Sequence, residues 1–575
     1  MVPRAVMSFP PVSVKDRGTC FEFMSRKKSS HGPPPKRPAR PEDSAKTASC
    51  ARVELLAAIA LSLWILLLHG LFLFHAGPLW RDEVGTVDFA SMPTLPDFWR
   101  NLRYDNFPPL FAGVARVWTL GGLSGDFSLR LLGLLVGLGT LGVFWFCARR
   151  CGAGVPLLVL ALYAANPLAV RVGDSMRPYG LGFALNLLAL TLTWRFVENP
   201  RARSWLWAAL ASVLSVQCLY QSAFFLAAFC LAGCAVTLAR RQWKTAAQTA
   251  AIGIVAALSL LPHLGNILQA RDWERIAWHS VHPEEIGKAL AEALNASGPW
   301  LAWCWAGLAL LAVATALILS IRSRAWRMFY FAAALLAGAL FYWLFLEKIA
   351  LQPRSWYFLI LLAPAALSID VILAGLSAPK MRLGRAGLAL LLAASTIPAA
   401  YASVRLRQSN ADLVAERLRK EARPGDVILV LPWYYGVALQ RYYTNRFDTL
   451  PPMPVEDLRI HRYDLMKQQM MADNPIGPLL DEVRQALRSG HDFWVVGVFM
   501  FPPPGQPQPI RPPYRGDPSL DMADACYFSS WMFQLSGMIQ SHATSVVEQE
   551  LPVPGGAGVY NLENLRLLRF RGWRE

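Results

Sequence analysis

The feature that most constrains this chain is the recurrence of apolar segments about as long as a bilayer core is thick. A membrane-spanning helix needs about 20 predominantly apolar residues, and about eleven such segments can be read. They are 54–76, 128–148, 153–170, 179–197, 204–220, 222–239, 246–266, 299–320, 327–346, 355–375 and 384–404. The pair at 204–239 is parted only by the short break "LYQS". Inside a bilayer only helices and closed barrels satisfy every backbone hydrogen bond. A polytopic α-helical membrane protein is therefore expected. Composition agrees: 54% of the 575 residues are hydrophobic and 17% charged, where soluble domains carry about 25% charged residues.

The net charge of +17 would suit a nucleic-acid partner, but its placement argues against one. The basic clusters "ARRCG", "ENPRARS", "ARRQWK", "IRSRAWR" and "APKMRLGR" fall on every second connection, on the same side as the basic N-terminal tail. That is the cytoplasmic signature. No nucleic acid is expected, then, and membrane lipids are. Residues 1–52, with "SRKKSSHGPPPKRPARPEDSAK", read as a disordered basic cytoplasmic tail. The first apolar run starts too late and is too long for a signal peptide. Of the nine cysteines, Cys147/Cys151 and Cys230/Cys234 have i, i+4 spacing but no histidine or further cysteine nearby. They read as small buried hydrophobes, with no zinc site and no disulfide framework.

Counting spans from the tail puts residues 77–127, 171–178 and 347–354 outside, and an odd total puts the C-terminal region there too. Residues 97–120 interleave Trp99, Phe107, Phe111 and Trp118 with Arg100, Arg103 and Arg116, the pattern of short helices lying in the membrane interface. From residue 408 the composition changes. "ADLVAERLRKEARPGDVILVLPWYYGVALQRYYT" reads helix, turn, strand, helix, and "LLDEVRQALRSGHDFWVVGVF" repeats helix, turn, strand. Residues 408–575 are expected to be an external soluble α/β domain carrying the proline-rich loop "FPPPGQPQPIRPP".

Directly after the first apolar run stands "GPLWRDEVGTVDFA", residues 77–90, with Arg81, Asp82 and Glu83 adjacent. Charge is costly where water is scarce. Taken alone, such a trio is most often the solvated end of a span. It does not stand alone. "YDNFPPLF" (104–111), "GDFSLRLLGLLVG" (125–137), "DSMRPYGLGFAL" (174–185) and "QPRSWYFLILLAP" (352–364) follow in order. All fall in or beside connections assigned to the same side. Together with Asp82-Glu83 this set resembles the GT-C glycosyltransferases, in the branch of protein O-mannosyltransferases, the lipid A aminoarabinose transferase and related enzymes using polyprenyl-phosphate sugars. The likeness spans residues 54 to 375. Asp174 stands where many members have glutamate, and Trp356 is inserted before the tyrosine of the last motif.

The resemblance implies a GT-C-type transmembrane catalytic domain over 53–407. It would move a sugar from a polyprenyl-phosphate donor to an acceptor hydroxyl on a glycan, glycolipid or protein at the external face of a bacterial inner membrane, with inversion expected. Such a transfer needs a base for the hydroxyl proton and cations for the leaving phosphate. Asp82 is the candidate base. Glu83 is its partner, expected to raise one pKa by repulsion. Arg177 and Arg354 are the candidate phosphate ligands, assisted by Arg81, because guanidinium matches phosphate oxygens bidentately. Asp105, Asp174 and Tyr179 fall in the matching motifs and are implied in substrate binding. Asp105 has a second reading as a cap for the helix begun by Pro108 and Pro109. Arg130 reads as an interfacial anchor. No cofactor is implied with certainty, and two carboxylates could hold a divalent cation, a point the resemblance leaves open. Asp-x-Asp spacing and glycine-rich phosphate loops are lacking, which argues against a nucleotide sugar. A lipid or sugar flippase and a glycan-binding membrane scaffold are the alternative readings.

Overall fold

The computed structural model describes residues 41–274, 281–349, 352–376, 378–454, 459–502, 510–516, 524–556 and 558–575. Ala48–Glu575 form one compact unit, apart from Met1–Thr47. Most of the tail expected at 1–52 lies outside the described residues. The boundary at 52 falls inside the first helix, α1 (Pro41–His75).

A connection of α2 (Arg81–Ala90), α3 (Leu95–Asn101) and α4 (Pro109–Leu120) follows. The bundle continues with α5 (Asp126–Arg150), the short α6 (Pro167–Gly173), α7 (Tyr179–Glu198), α8 (Ala202–Cys218), α9 (Ser222–Ala239) and α10 (Trp243–Leu258). Next come α11 (Leu264–Glu274), α12 (Pro283–Leu294), α13 (Leu301–Ser323), α14 (Trp326–Ile349), α15 (Leu359–Ala374) and α16 (Pro379–Val404). Among the described residues nine helices are long and apolar enough to cross a membrane. They are Ala48–His75 within α1, α5, α7, α9, Trp243–Gln269 across α10 and α11, α13, α14, Ser355–Ala374 ending in α15, and α16.

Two of the expected spans take another form. The segment at 204–220 is α8, 17 residues long and packed along α7. The segment at 153–170 is no continuous helix. Gly152 and Gly154 adopt left-handed φ of 76° and 78°, a π-helical turn covers Leu160–Ala164, and Asn166 with Pro167 starts α6. Broken backbone in a membrane protein needs internal partners. Here Asp370 of α15 supplies them, accepting from the N–H of Leu157 (2.8 Å) and Val159 (3.3 Å). Asp370 is itself held by Arg385, which also pairs with Glu54. This explains an aspartate inside a helix as apolar as "LILLAPAALSIDVILA".

The first connection is tied down from below. Arg116, expected to face the membrane interface, is buried and donates to the carbonyls of Ala90, Met92 and Pro93 where α2 ends. On α5, Gly133 and Gly137 let the 174 segment approach. A Cβ at Gly133 would lie 1.9 Å from the Asp174 carbonyl oxygen, and one at Gly137 would lie 2.1 Å from Asp174 Oδ1.

The C-terminal region comprises α17 (Ala411–Glu421), β1 (Val427–Leu431), α18 (Tyr435–Tyr442), β2 (Asp448–Thr449), α19 (Tyr463–Met471), α20 (Gly477–Arg488), β3 (Phe493–Gly497), α21 (Asp524–His542), β4 (Ala543–Glu548) and β5 (Leu567–Trp573). The sheet order is β2-β1-β3-β5-β4, with β1 parallel to β2 and β3, and β5 antiparallel to β3 and β4. The wholly buried runs "VILVL" and "FWVVG" form the central parallel pair, as strands covered on both faces should. Part of the proline-rich loop, residues 503–509, lies outside the described residues. Helix α18 packs on α2. Arg441 Nε meets Asp126 Oδ1 at 2.9 Å, while the Tyr442 hydroxyl accepts from Leu79 N (2.7 Å) and donates to Asp126 Oδ2 (2.7 Å). The α/β region thus sits directly on the charged first connection.

Candidate active site

Arg81, Asp82 and Glu83 form the first turn of α2, where negative side chains favour the helix dipole. Adjacent residues on a helix point about 100° apart, and the two carboxylates separate accordingly. Glu83 is fully buried. Its Oε1 accepts from the Arg130 guanidinium and from Met176 N (2.9 Å), and its Oε2 from Trp80 N (3.1 Å). Arg130 also donates to the Pro78 carbonyl at 2.8 Å. Arg130 is therefore no interfacial anchor but the buried counter-ion of Glu83, and the pair locks α2 to α5 and to the 174–178 connection.

Asp82 turns the other way and keeps 29% of its side chain exposed. Arg81 Nε lies 3.4 Å and His461 Nε2 3.8 Å from its Oδ1. Arg177 donates to the Asp82 carbonyl (3.1 Å) and to Thr86 Oγ1 (2.7 Å), with its guanidinium over the Phe107 ring at 4.5 Å. Burial by itself would push the Asp82 carboxyl up, but Arg81, Arg177 and His461 together bring it below the usual carboxylate value. The expectation of a pKa raised by repulsion from Glu83 is thus corrected. Glu83 faces Arg130, and cations surround Asp82.

Asp105 joins the same cluster. Burial pushes its carboxyl up, Arg177 pulls it down and Asp82 pushes it up again, while the N–H groups of Asn106 and Phe107 bond to it. It caps that turn rather than α4, whose N-cap is Pro108. Tyr179 packs edge-on against Phe107 at 5.4 Å. Arg354 is exposed; its carbonyl accepts from Tyr357 N at 3.0 Å. Tyr357 links it electrostatically to Asp82 and Arg177. Asp174 is not brought to Asp82. It is buried, and its Oδ2 meets His69 Nδ1 of α1 at 2.7 Å.

Four residues of the C-terminal region complete the site and carry no local signal in the sequence. The Arg81 guanidinium lies over Tyr434 (4.5 Å) and Tyr435 (5.4 Å). Arg81 N donates to Glu563 Oε1 at 3.3 Å, and its Nη1 lies 3.9 Å from Glu563 Oε2. Burial pushes the Glu563 carboxyl up to about 8, against the pull of Arg81 and with the push of Asp82. The fourth is His461.

Nothing in this arrangement fits a divalent cation. Among the described residues no three His, Cys, Asp or Glu side chains converge, Glu83 is committed to Arg130, and two guanidinium groups crowd Asp82. What the site does offer is a half-exposed carboxylate facing cations that can stabilise an anion.

Fold and site define a polytopic helical membrane protein with a carboxylate–guanidinium centre on its first extramembrane helix, covered by a small α/β domain. No protein-family model matches the sequence, and no curated protein matches it. Among solved structures the chain is similar to ArnT from Cupriavidus metallidurans bound to undecaprenyl phosphate, at 14% identity and TM-score 0.47 over 76% of this chain and 92% of that one. It is similar also to the Archaeoglobus fulgidus oligosaccharyltransferase in complex with Zn and sulfate, at 13% identity and TM-score 0.46 over 77% and 67%. The Archaeoglobus fulgidus oligosaccharyltransferase AglB, in complex with an inhibitory peptide and a dolichol-phosphate, gives 11% identity and TM-score 0.44 over 77% and 69%. These neighbours are GT-C glycosyltransferases. At such identities and scores no residue's role passes from them to this chain.

Proposed function

We propose that the protein transfers a sugar from a polyprenyl-phosphate donor to an acceptor hydroxyl at the external membrane surface. The observation that carries the reading is the placement of Asp82 beside Arg81 and Arg177 on α2. Asp82 takes the hydroxyl proton as the acceptor oxygen attacks the anomeric carbon, and the bond to phosphate breaks on the opposite side with inversion. Arg177 and Arg81 hold the departing phosphate, with Arg354 at the rim. Glu83 acts through Arg130 as a positioning residue, and Asp105 with Tyr179 shapes the substrate side. An apolar groove lined by Phe98, Leu110, Val114, Trp118, Leu123 and Leu214 opens between α4 and α8, suited to a polyprenyl chain. The acceptor is a hydroxyl of a glycan, a glycolipid or a protein.

The test uses full-length protein in lipid nanodiscs, given the radiolabelled polyprenyl-phosphate-sugar fraction of the source membranes together with a membrane extract as acceptor. Wild-type protein should release free polyprenyl phosphate. Asp82→Asn should fold normally and lose about a hundredfold or more in turnover, the usual cost of a missing general base. A flippase or a scaffold would release none in either form, and wild-type turnover in Asp82→Asn would sink the assignment.

A further inference from the structure

We propose that His461, delivered by the C-terminal region, receives from Asp82 the proton that Asp82 removes from the acceptor, making it the second proton carrier of the site. The inference rests on the glycosyltransferase reading above.

His461 Nε2 is 3.8 Å from Asp82 Oδ1, a gap that one water or a change of the Asp82 rotamer spans. The ring is held in place. It lies against α2 at Gly85, with Tyr463 stacked on it at 6.3 Å and 19° and Trp433 edge-on at 6.2 Å. Its side chain is 19% exposed, so a proton accepted from Asp82 has a way out to water. The titratable and charged groups facing it are Asp82 and Arg81 of α2, Arg177 of the 174–178 connection and Tyr463 of α19.

A base placed among cations has a difficulty that this geometry resolves. Asp82 is held below its usual value, so it gives up a proton readily and stores one poorly. Burial brings His461 down to about 4, Arg81 and Arg177 add to that, and Asp82 opposes it. The imidazole is thus neutral at pH 7. In the tautomer protonated at Nδ1, its Nε2 lone pair faces Asp82. A neutral imidazole with its lone pair turned to Asp82 can take up the proton that Asp82 does not keep. The acceptor O–H bond breaks as its oxygen bonds to the sugar carbon, and the electron pair of the sugar–phosphate bond leaves with the phosphate. The proton passes to Asp82, then to His461 Nε2, and from the imidazolium to water.

The experiment measures polyprenyl-phosphate release by His461→Ala, with and without added imidazole, beside Asp82→Asn in the same full-length preparation. His461→Ala is expected to lower kcat about a hundredfold with donor KM unchanged, and imidazole should restore part of the rate. A wild-type rate, or a slow rate that imidazole does not improve, would overturn the relay. If His461→Ala melts below assay temperature, His461→Gln serves, read by a larger solvent-deuterium effect on kcat. A wild-type rate or a wild-type isotope effect there overturns it equally. Slow Asp82→Asn with fast His461→Ala removes the relay alone, whereas fast Asp82→Asn removes the relay together with the function proposed above.

Discussion

At the scale of single residues, Asp82 and Glu83 are neighbours in sequence with opposite situations. Glu83 is wholly buried against Arg130, and removing one member of a buried pair typically costs about 3–5 kcal/mol. Glu83→Gln is therefore expected to lower the melting temperature of the purified protein far more than Asp82→Asn, whose carboxylate reaches water. Equal melting temperatures would show that the pair does not hold α2. Glu563 adds a pH dependence. Its carboxyl, near 4.5 when unfolded, is pushed up to about 8 in the fold by burial. A raised folded value contributes stability that is complete below the unfolded value and is lost as pH rises through about 8. Melting temperature should fall between pH 5 and pH 9, and Glu563→Gln should flatten that slope; parallel slopes would remove Glu563 as the cause. Asp82, Asp105 and Arg177 were legible because their motifs are short and lie in order along the chain. The opposed directions of Asp82 and Glu83 follow from helix geometry, but their partners, Arg177 and Arg130, come from other segments. Sequence alone therefore suggested mutual repulsion. His461 and Glu563 were not legible, since only the packing of the C-terminal region on α2 brings them to the site.

At the scale of elements, α4 lies between the Asp82–Arg177 cluster and the apolar groove. Pro109 occupies the start of α4 and fixes its first turn, which places Phe107 under Arg177 and turns Leu110, Val114 and Trp118 into the groove. Gly113 lines that groove, and a Cβ there would meet nothing within 4 Å. Gly113→Phe should fold at least as well, since glycine disfavours a helix interior by about 1 kcal/mol, while its ring fills the groove. Turnover with donors carrying long polyprenyl chains should drop, and short-chain donors should be used as before. Loss with both, or with neither, would dissociate the groove from the lipid. Periodicity showed α4 and the long apolar helices plainly. It gave no sign of the breaks in 153–170, where apolar residues are continuous but Gly152, Gly154 and Pro167 interrupt the helix. What makes that interruption tolerable is Asp370, some two hundred positions away. A contact at that distance leaves no mark on local sequence.

At the scale of the whole molecule, two segments outside the nine long apolar helices bear on the number of crossings. The segment from Ala153 begins where Arg385 reaches the Ala153 carbonyl and ends where Arg171 bonds to Gln408 at 2.8 Å, just before the C-terminal region. Helix α8 begins beside Arg201 and Arg203 and ends with Cys218 Sγ 3.3 Å from the Pro178 carbonyl, next to Arg177. Both segments run from the basic end to the end that carries the site. If both cross beside the nine long apolar helices, eleven passages, an odd number, would part the start of α1 from the C-terminal region. Single cysteines at Arg203, Gln242 and Arg423, in a background with the native cysteines replaced, test this with a membrane-impermeant thiol reagent. All three positions are exposed, and Gln242 avoids the left-handed φ of Arg241. Intact cells should label Arg423→Cys at once, and label Arg203→Cys and Gln242→Cys only after permeabilisation. Because α9 lies between α8 and Gln242 and is long enough to cross by itself, opposite labelling of the two inner positions would mean that α8 does not. Labelling of Arg423→Cys only after permeabilisation would put His461, Glu563 and the whole site on the cytoplasmic side, away from any external acceptor.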